Sequence, residues 1–139
     1  MPSDSPSILL LIPAYNEESR IGPVLGAYAL YFREHHPDNF HLVVVLNGCT
    51  DDTLGVVERA SGQFPEISHV NIPEPVGKGG ALIEGLKLAP EADLVGYVDA
   101  DGATPPAAFD DLVTECAGAD CVIGSRWMAG SVLRQEQTF

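Results

Sequence analysis

The feature that most constrains the fold is a regular alternation of short apolar segments with segments whose apolar residues recur at helical spacing. The apolar segments are rich in leucine and β-branched residues, and proline or Asn-Gly interrupts several of them, as is typical of buried strands. The predicted strands are Ile8–Ile12, Phe40–Leu46, His69–Ile72, Asp93–Val98 and Asp120–Ile123. The predicted helices are Ile21–His35, Asp51–Phe64, Ala81–Leu88 and one that begins at Pro105-Pro106. This order predicts an α/β fold, with a mostly parallel sheet flanked by helices on both faces.

The length and charge of the chain limit the classes of function. Its 139 residues suit one domain. Only residues 1–6 have the character of a loose tail, so we predict a single lobe over residues 7–139. Seven lysines and arginines stand against twenty aspartates and glutamates, which gives a net charge of -13. So acidic a chain lacks the basic patch of a nucleic-acid-binding protein and the polybasic segment of a membrane-surface protein.

Cysteine usage and the N-terminal sequence favour a cytoplasmic protein. The three cysteines, Cys49, Cys116 and Cys121, are odd in number and form no CxxC pair, which disfavours a disulfide framework or a zinc site. The first residues carry neither the basic segment nor the apolar stretch of a signal peptide. Because no apolar run approaches the ~20 residues that cross a bilayer, we expect no membrane span.

Candidate functional residues are sought directly after each predicted strand, since ligands of open parallel sheets bind outside the carboxyl ends of the strands. The polar and glycine-rich residues of the chain concentrate in these places. The segments are Pro13–Glu18, Asn47–Asp52, Pro73–Gly80, Asp99–Thr104 and Gly124–Trp127. A ligand site is therefore predicted at one edge of the sheet.

Asp99 and Asp101, in the sequence Asp-Ala-Asp-Gly after the fourth predicted strand, carry the strongest chemical signal. Residues two apart in an extended segment point to the same side, so both carboxylates can face one cation. Mg²⁺ or Mn²⁺ is expected, because hard cations are often held by one or two carboxylates together with substrate phosphates. A solvated acidic turn is one alternative. The other is the DxDx[TV] motif of haloacid-dehalogenase phosphatases, from which Ala103 and the place after the fourth strand both depart.

The loop after the first predicted strand offers groups for a nucleoside. Tyr15 can stack on a flat base or ribose, and Glu17 can accept hydrogen bonds from sugar hydroxyls. We interpret Pro13 as the residue that ends strand pairing and turns the chain. The alternative is an ordinary loop in which Glu18 caps the next helix.

Three further segments carry weaker signals. Lys78 lies in a glycine-rich segment that opens a predicted helix, where backbone N–H groups can receive an anion. The P-loop and GxGxxG patterns are both absent there, so a simple turn is equally compatible. Asn47 begins a turn that provides a helix cap at Thr50 or Asp51. Arg126 follows the last predicted strand, where its guanidinium can contact a phosphate.

Taken in order, these five motifs resemble those of family 2 glycosyltransferases, and more narrowly those of the polyprenyl- or dolichyl-phosphate sugar synthases. The motifs are YNE, NGCTDDT, GKGGA, DADGAT and GSRW, between about Ser7 and Trp127. The resemblance implies a GT-A fold that binds a nucleotide-diphosphate sugar and a divalent metal at the carboxyl edge of the sheet. It also implies transfer of the sugar, with inversion, to an acceptor such as a polyprenyl phosphate.

The residues that the resemblance implies at the donor site share a place after a strand and a group that can contact part of a sugar nucleotide. They are Pro13, Tyr15 and Glu17 for the nucleoside, Asn47 for a base edge, Asp99 and Asp101 for ribose, diphosphate and metal, and Lys78 and Arg126 for the phosphates. Within this resemblance, the residues of the DADGAT and GKGGA motifs favour UDP-glucose over GDP-mannose as the donor.

Two departures from the family pattern shape the expectation. The usual Asp-Asp-Gly after the second strand is Leu46-Asn47-Gly48 here, so one carboxylate expected near the base is missing. The chain also ends at Phe139, where relatives continue with an acceptor-binding part that often supplies a catalytic Asp. We therefore expect the donor-binding lobe without the acceptor lobe, and no catalytic base can be assigned. A lipid-phosphate acceptor could supply its own oxyanion as the nucleophile.

The expected partners are the sugar nucleotide and a lipid-phosphate or glycan acceptor, without nucleic acid, and self-association is left open. The full-length protein would be cytoplasmic or peripheral at a membrane. Two alternative functions stay open: a truncated module that binds nucleotide and transfers nothing, and the phosphatase named above.

Overall fold

A computed structural model describes residues 7–77, 80, 83–84, 87, 94–117 and 130–134 of the chain. The strands in these ranges are β1 (Ile8–Ala14), β2 (Phe40–Asn47), β3 (Ile67–Ile72), β4 (Leu94–Val98) and β5 (Gly130–Arg134). The helices whose bounds are described are α1 (Ile21–His35), α2 (Thr53–Gln63) and α3 (Pro106–Ala117).

The five strands form one sheet in the order β3-β2-β1-β4-β5. The pairs β1–β2, β2–β3 and β1–β4 are parallel, and β5 pairs antiparallel with β4. From β1 the chain steps outward through β2 to β3 and then crosses back to β4 on the other side of β1. The predicted α/β fold with a mostly parallel sheet is confirmed. This topology puts the switch in strand order, where such sheets bind ligands, between β1 and β4.

The two neighbours of β1 pair with it over different lengths. Pairing with β2 runs in register as far as Ala14 opposite Leu46, whereas pairing with β4 ends at Leu11 opposite Tyr97. The prediction that Pro13 ends strand pairing was therefore wrong for the β2 side, where Pro13 lies opposite Val45. Pairing with β4 has already ended before Pro13, so the N–H that proline lacks is not needed on that side. The sheet opens between β1 and β4 at its carboxyl edge.

The main hydrophobic core lies on the face of the sheet covered by α1, α2 and α3. Helix α1 contributes apolar residues spaced three and four apart, so they form one stripe on the helix. The buried helix residues are Ile21, Leu25, Tyr28, Ala29, Phe32, Val57, Phe109, Leu112 and Val113. The strand residues beneath them alternate, including Ile8, Leu10, Ile12, Leu42, Val44 and Leu46. The residues between these, such as Leu9, Leu11, Val43 and Val45, are buried on the opposite face.

Several predicted elements differ from the structure or fall outside it. Strand β5 was not predicted, because Gly-Ser-Val-Leu-Arg has few apolar residues and lies beyond the regular alternation of strands and helices. The predicted strand Asp120–Ile123 lies outside the described residues, and most of the predicted helix Ala81–Leu88 does too. The described helices all pack on one face, so helices on both faces stay a prediction. None of the helices described is long and apolar enough to cross a membrane.

Helix α2 begins later than its sequence predicts. The prediction placed its start at Asp51, with Thr50 or Asp51 as N-cap, but the first helical residue is Thr53 and the N-cap is Asp52. The cause is local, because the Asp51 carboxylate accepts a hydrogen bond from the backbone N–H of Thr53, at 3.0 Å. This Asx-type turn holds residues 51–53 outside the helix.

A cluster of hydrogen bonds joins α1 to α3. Its residues lie outside the segments that follow the strands. The Tyr31 hydroxyl donates to Asp110 Oδ2 at 2.9 Å, and His36 Nε2 lies 2.7 Å from Asp110 Oδ1. Burial and the neighbouring Asp110 carboxylate raise the pKa of Tyr31 to about 12, so its hydroxyl keeps its proton at neutral pH. These contacts fasten the two helices to each other.

We expect replacement of Phe32 by alanine to lower the free energy of unfolding by about 3–5 kcal/mol, because a large buried ring leaves a cavity. Phe32 is fully buried, with ring centroids 4.3 Å from Phe40 and 5.9 Å from Phe109. Urea unfolding measures the change. Leu30→Ala is the control on the same helix, because Leu30 is exposed. A loss for Phe32→Ala no larger than for Leu30→Ala would contradict the described core.

Candidate functional site

An open cavity of about 300 Å³ lies at the carboxyl edge of the sheet, where β1 and β4 separate. The ends of three strands contribute to it. The residues that line it are Pro13, Ala14, Tyr15, Glu17, Asn47, Asp99, Ala100 and Asp101. Segments that are far apart in sequence therefore meet in one depression at the topological switch point.

Most of the site residues predicted from the sequence come together here. Those found around the cavity are Pro13, Tyr15, Glu17, Asn47, Asp99 and Asp101. Lys78 and Arg126 lie outside the described residues. Ala14 and Ala100 also line the cavity and were not predicted, because a methyl group carries no chemical signal. The available signal was their position beside Pro13 and between the two aspartates.

The loop after β1 carries an aromatic ring and a carboxylate. Tyr15 is 57% exposed, which leaves its ring accessible for stacking on a flat partner. Glu17 is partly buried and forms an ion pair with Arg20. The Glu17 backbone carbonyl accepts from the N–H groups of Arg20 and Ile21, at 3.0 and 2.9 Å, as α1 begins. The start of α1 therefore fixes one side of the cavity.

Asn47, the last residue of β2, is a buried amide whose oxygen already has a partner. Its Oδ1 accepts a hydrogen bond from the backbone N–H of Val76 at 2.8 Å. This bond ties the end of β2 to the loop after β3 and fixes which end of the amide is the oxygen. The amide NH₂, which can only donate, is left as the group that can meet a carbonyl of a ligand.

The leucine that replaces the family's usual carboxylate lies away from the cavity. Leu46 is fully buried in the main core, on the face covered by the helices, whereas its neighbour Asn47 lines the cavity. Adjacent residues of a strand point to opposite faces. The missing carboxylate at position 46 therefore removes nothing from the cavity wall.

The acidic turn after β4 presents two carboxylates beside the cavity. Ala100 between them is buried, and all three residues of the turn, Asp99, Ala100 and Asp101, line the cavity. Asp101 Oδ1 accepts the backbone N–H of Ala103 at 2.9 Å, and Gly102 has a positive φ of 81° that closes the turn. Asp101 is exposed and Asp99 is half-buried.

The donor set fits a hard divalent cation that shares its coordination with a ligand. Within the described ranges no cluster of three or more His, Cys, Asp or Glu side chains could hold a metal without help. Two carboxylates alone leave most of an octahedral shell to waters and phosphate oxygens, which is how Mg²⁺ is commonly bound. Of the three carboxylates in the described lining, Glu17 is paired with Arg20. The lining itself contains no lysine or arginine, so Asp99 and Asp101 repel an anion unless a cation comes with it.

Sequence comparison gives the chain a family and named relatives. The sequence model of the family described as "Glycosyl transferase family 2" matches residues 9–138. The chain is 33% identical over 126 residues to dolichyl-phosphate beta-glucosyltransferase ALG5C of Trichomonas vaginalis, covering 84% of this chain and 37% of that protein. It is 30% identical over 131 residues to polyprenol monophosphomannose synthase of Mycolicibacterium smegmatis, covering 91% of this chain and 47% of that one. The chain thus spans less than half the length of these curated relatives.

Solved structures share the fold at lower identity. The mannosyltransferase PcManGT from Pyrobaculum calidifontis, in complex with GDP-Man and Mn²⁺, superposes with a TM-score of 0.76 at 22% identity, covering 94% of this chain and 45% of that one. Glucosyl-3-phosphoglycerate synthase from Mycobacterium tuberculosis, in complex with UDP, gives a TM-score of 0.71 at 19% identity, covering 94% of this chain and 57% of that one.

We expect Gly48→Ala to destabilise the site by about 1–3 kcal/mol, because a residue other than glycine is strained in the left-handed region. Gly48 has a φ of 69°, and a Cβ there would lie 2.8 Å from both Cδ and N of Pro75. Denaturant unfolding measures the loss. Gly26→Ala in α1 is the control, since a Cβ there meets nothing within 4 Å and alanine favours a helix. Equal stability of Gly48→Ala and the unmodified chain would contradict this geometry.

Proposed function

The chain belongs to glycosyl transferase family 2, and from that premise we propose that residues 7–139 form a lobe that binds a nucleotide-diphosphate sugar together with Mg²⁺ or Mn²⁺. The fold is that of the GT-A glycosyltransferases, as the structural neighbours show. We propose that the whole protein is a glycosyltransferase that transfers the sugar, with inversion, to a polyprenyl phosphate or a similar acceptor. The family match removes the phosphatase alternative.

One observation carries the proposal: nucleoside-type contacts and an aspartate pair surround the same cavity. Tyr15 would stack on the base or ribose, and Glu17 would accept from the sugar hydroxyls of the nucleoside. Asn47 would donate its NH₂ to a carbonyl of the base, since its oxygen is held by Val76. Pro13 would contact the nucleoside. A flat base, a ribose and a diphosphate with its cation need these different groups around one cavity.

The charges explain why a cation belongs in the proposal. Asp99 and Asp101 would hold the cation, whose charge offsets that of the diphosphate and stabilises it as a leaving group. Asp99 would also contact the ribose. Without a cation, the aspartate pair would repel the diphosphate of the donor from a chain whose net charge is -13. Lys78 and Arg126 would assist phosphate binding, on the strength of their places in the GKGGA and GSRW motifs.

The proposed acceptor makes a protein base less necessary. The phosphate oxygen of a polyprenyl phosphate is already ionised, so it attacks the anomeric carbon without losing a proton. Attack from the side opposite the nucleoside diphosphate inverts the configuration. Residues on this chain would hold and orient the donor, and no catalytic base is assigned among them. An acceptor-binding part would complete the enzyme, and a cytoplasmic protein peripheral to a membrane would meet such an acceptor.

The relatives support two donors. The dolichyl-phosphate beta-glucosyltransferases favour a glucose donor, for which UDP-glucose is our first choice, and polyprenol monophosphomannose synthase favours GDP-mannose. Uracil and guanine each have a carbonyl that can accept a hydrogen bond from the Asn47 NH₂. A second candidate function, nucleotide binding without transfer, rests on the chain spanning less than half of its relatives. Sugar transfer to polyprenyl phosphate by this chain would exclude it.

We expect UDP-glucose or GDP-mannose to bind this chain only with Mg²⁺ or Mn²⁺, and Asp101→Asn to weaken that binding at least about tenfold. Asparagine keeps an oxygen that can accept the Ala103 N–H, so the turn is preserved while the charge is lost. Isothermal titration calorimetry with and without Mn²⁺ measures both effects.

Asp111→Asn is the control, because it removes the same charge from an exposed position on α3. The affinity of Asp111→Asn for the sugar nucleotide should match that of the unmodified chain. Equal, metal-independent binding by the unmodified chain and Asp101→Asn would overturn the proposal.

A further inference from the structure

The loop that carries Tyr15 and Glu17 is held by side chains outside the cavity lining. This loop, residues 15–18, leaves β1 and turns sharply at Asn16, whose φ is 52°. Asparagine tolerates this left-handed region better than most residues. The loop's conformation sets where the Tyr15 ring and the Glu17 carboxylate lie. Its fixation therefore bears directly on the proposed nucleoside site.

Asn16 anchors the loop to the turn that follows β2. Its Oδ1 accepts hydrogen bonds from the backbone N–H groups of Thr50, at 2.7 Å, and Asp51, at 3.3 Å. The Thr50 hydroxyl also lies within reach of this oxygen, at 3.4 Å. One amide oxygen thus satisfies two backbone donors more than thirty residues further along the chain.

Side chains of the turn after β2 accept hydrogen bonds from the backbone of the loop in return. Thr53 Oγ1 accepts the backbone N–H of Glu17 at 2.9 Å, and Asp51 Oδ2 accepts the backbone N–H of Glu18 at 3.2 Å. Glu18 Oε1 accepts the backbone N–H of Asp52 at 3.0 Å. Each loop thereby supplies side-chain acceptors for the other's backbone donors.

The direction of the central hydrogen bonds is fixed by charge. The Thr53 hydroxyl donates to Asp51 Oδ1, and this bond is the main cause that holds the pKa of Asp51 below its ordinary value. An ionised carboxylate can only accept, so the hydroxyl proton points to Asp51 and an oxygen lone pair is left for the Glu17 N–H. Thr53 is fully buried, so water does not replace the hydroxyl if it is removed.

We propose that Thr53, supported by Asp51 and reciprocated by Asn16, is a positioning residue that sets the nucleoside-binding conformation of Tyr15 and Glu17. Thr53 does not line the cavity, and it acts through the backbone of Glu17. The inference rests on the proposed function, because its consequence is affinity for the sugar nucleotide. Loss of the Thr53 hydroxyl leaves the Glu17 N–H without its acceptor and releases the loop from its bound geometry.

Thr53→Val tests this proposal, because valine has the shape of threonine without the hydroxyl. Using the whole chain, we expect the affinity for UDP-glucose with Mn²⁺ to fall about tenfold, and the protection of the Glu17 amide from hydrogen exchange to fall with it. Thr53→Ser restores the hydroxyl and should restore both. Tyr31→Phe is the matched control, since it removes one hydrogen bond to an aspartate at the α1–α3 contact. It should leave the affinity unchanged.

A second variant keeps the test decisive if Thr53→Val does not fold. Asn16→Gly allows the positive φ and removes the side chain whose oxygen accepts from Thr50 and Asp51, so it should also weaken binding about tenfold. Asp38→Gly is its control, because Asp38 has a φ of 67° in the turn between α1 and β2, away from the cavity.

The outcomes separate the two proposals. A chain that binds UDP-glucose with Mn²⁺ equally well with and without Thr53→Val, or with and without Asn16→Gly, overturns the positioning role alone. An unmodified chain that binds neither UDP-glucose nor GDP-mannose with Mn²⁺ overturns the proposed function. Weaker binding by both variants, with rescue by Thr53→Ser and unchanged controls, supports the positioning role.

Discussion

The site depends on the unequal pairing of β1 with its two neighbours. Hydrogen bonding to β2 continues to Ala14, whereas hydrogen bonding to β4 stops at Leu11. The crossover from β3 to β4 reverses the strand order at this gap, and open parallel sheets bind ligands at such a reversal. The loops after β1, β2 and β4 then surround a single cavity. The contacts proposed for the residues that line this cavity follow from this separation of two strands.

Charge is the second constraint, and it acts on the cavity that the sheet creates. Glu17 is paired with Arg20, and Asp99 and Asp101 give the described lining an excess of negative charge. Such a lining suits a diphosphate only when a cation is bound with it. In the proposed complex, Glu17 after β1 would contact the nucleoside and the aspartate pair after β4 would hold the cation. The acidity of the whole chain, at a net charge of -13, is therefore compatible with a phosphate ligand.

The fold and much of the site could be predicted because their signals are local in sequence. Apolar runs and helical spacing indicated the α/β order, and the strand-end rule selected the loops that meet at the cavity. Strand β5 was missed because an antiparallel edge strand does not continue the alternation. The late start of α2 was missed because Asp51 bonds to Thr53 outside the helix, a choice that depends on side-chain geometry.

The contacts that hold the site in place could not be predicted, since they join residues more than twenty-five positions apart. The bonds from Asn16 to Thr50 and from Asn47 to Val76 depend on which strands are neighbours and in what register. The sequence shows the polar residues but not their partners. The same limit made Leu46 misleading, because the loss of a carboxylate in a motif says nothing about which face of the strand the side chain occupies.

The most direct test of the central claim is an amide NMR titration of the ¹⁵N-labelled chain with UDP-glucose, first with Mg²⁺ and then with Mn²⁺. We expect shifts in the loops after β1, β2 and β4, and paramagnetic broadening by Mn²⁺ that is strongest at Ala100 and Gly102, beside the aspartate pair. Little change is expected at His36, in the α1–α3 contact. Shifts centred on that contact, or broadening that spares the turn after β4, would contradict a nucleotide-sugar site between β1 and β4.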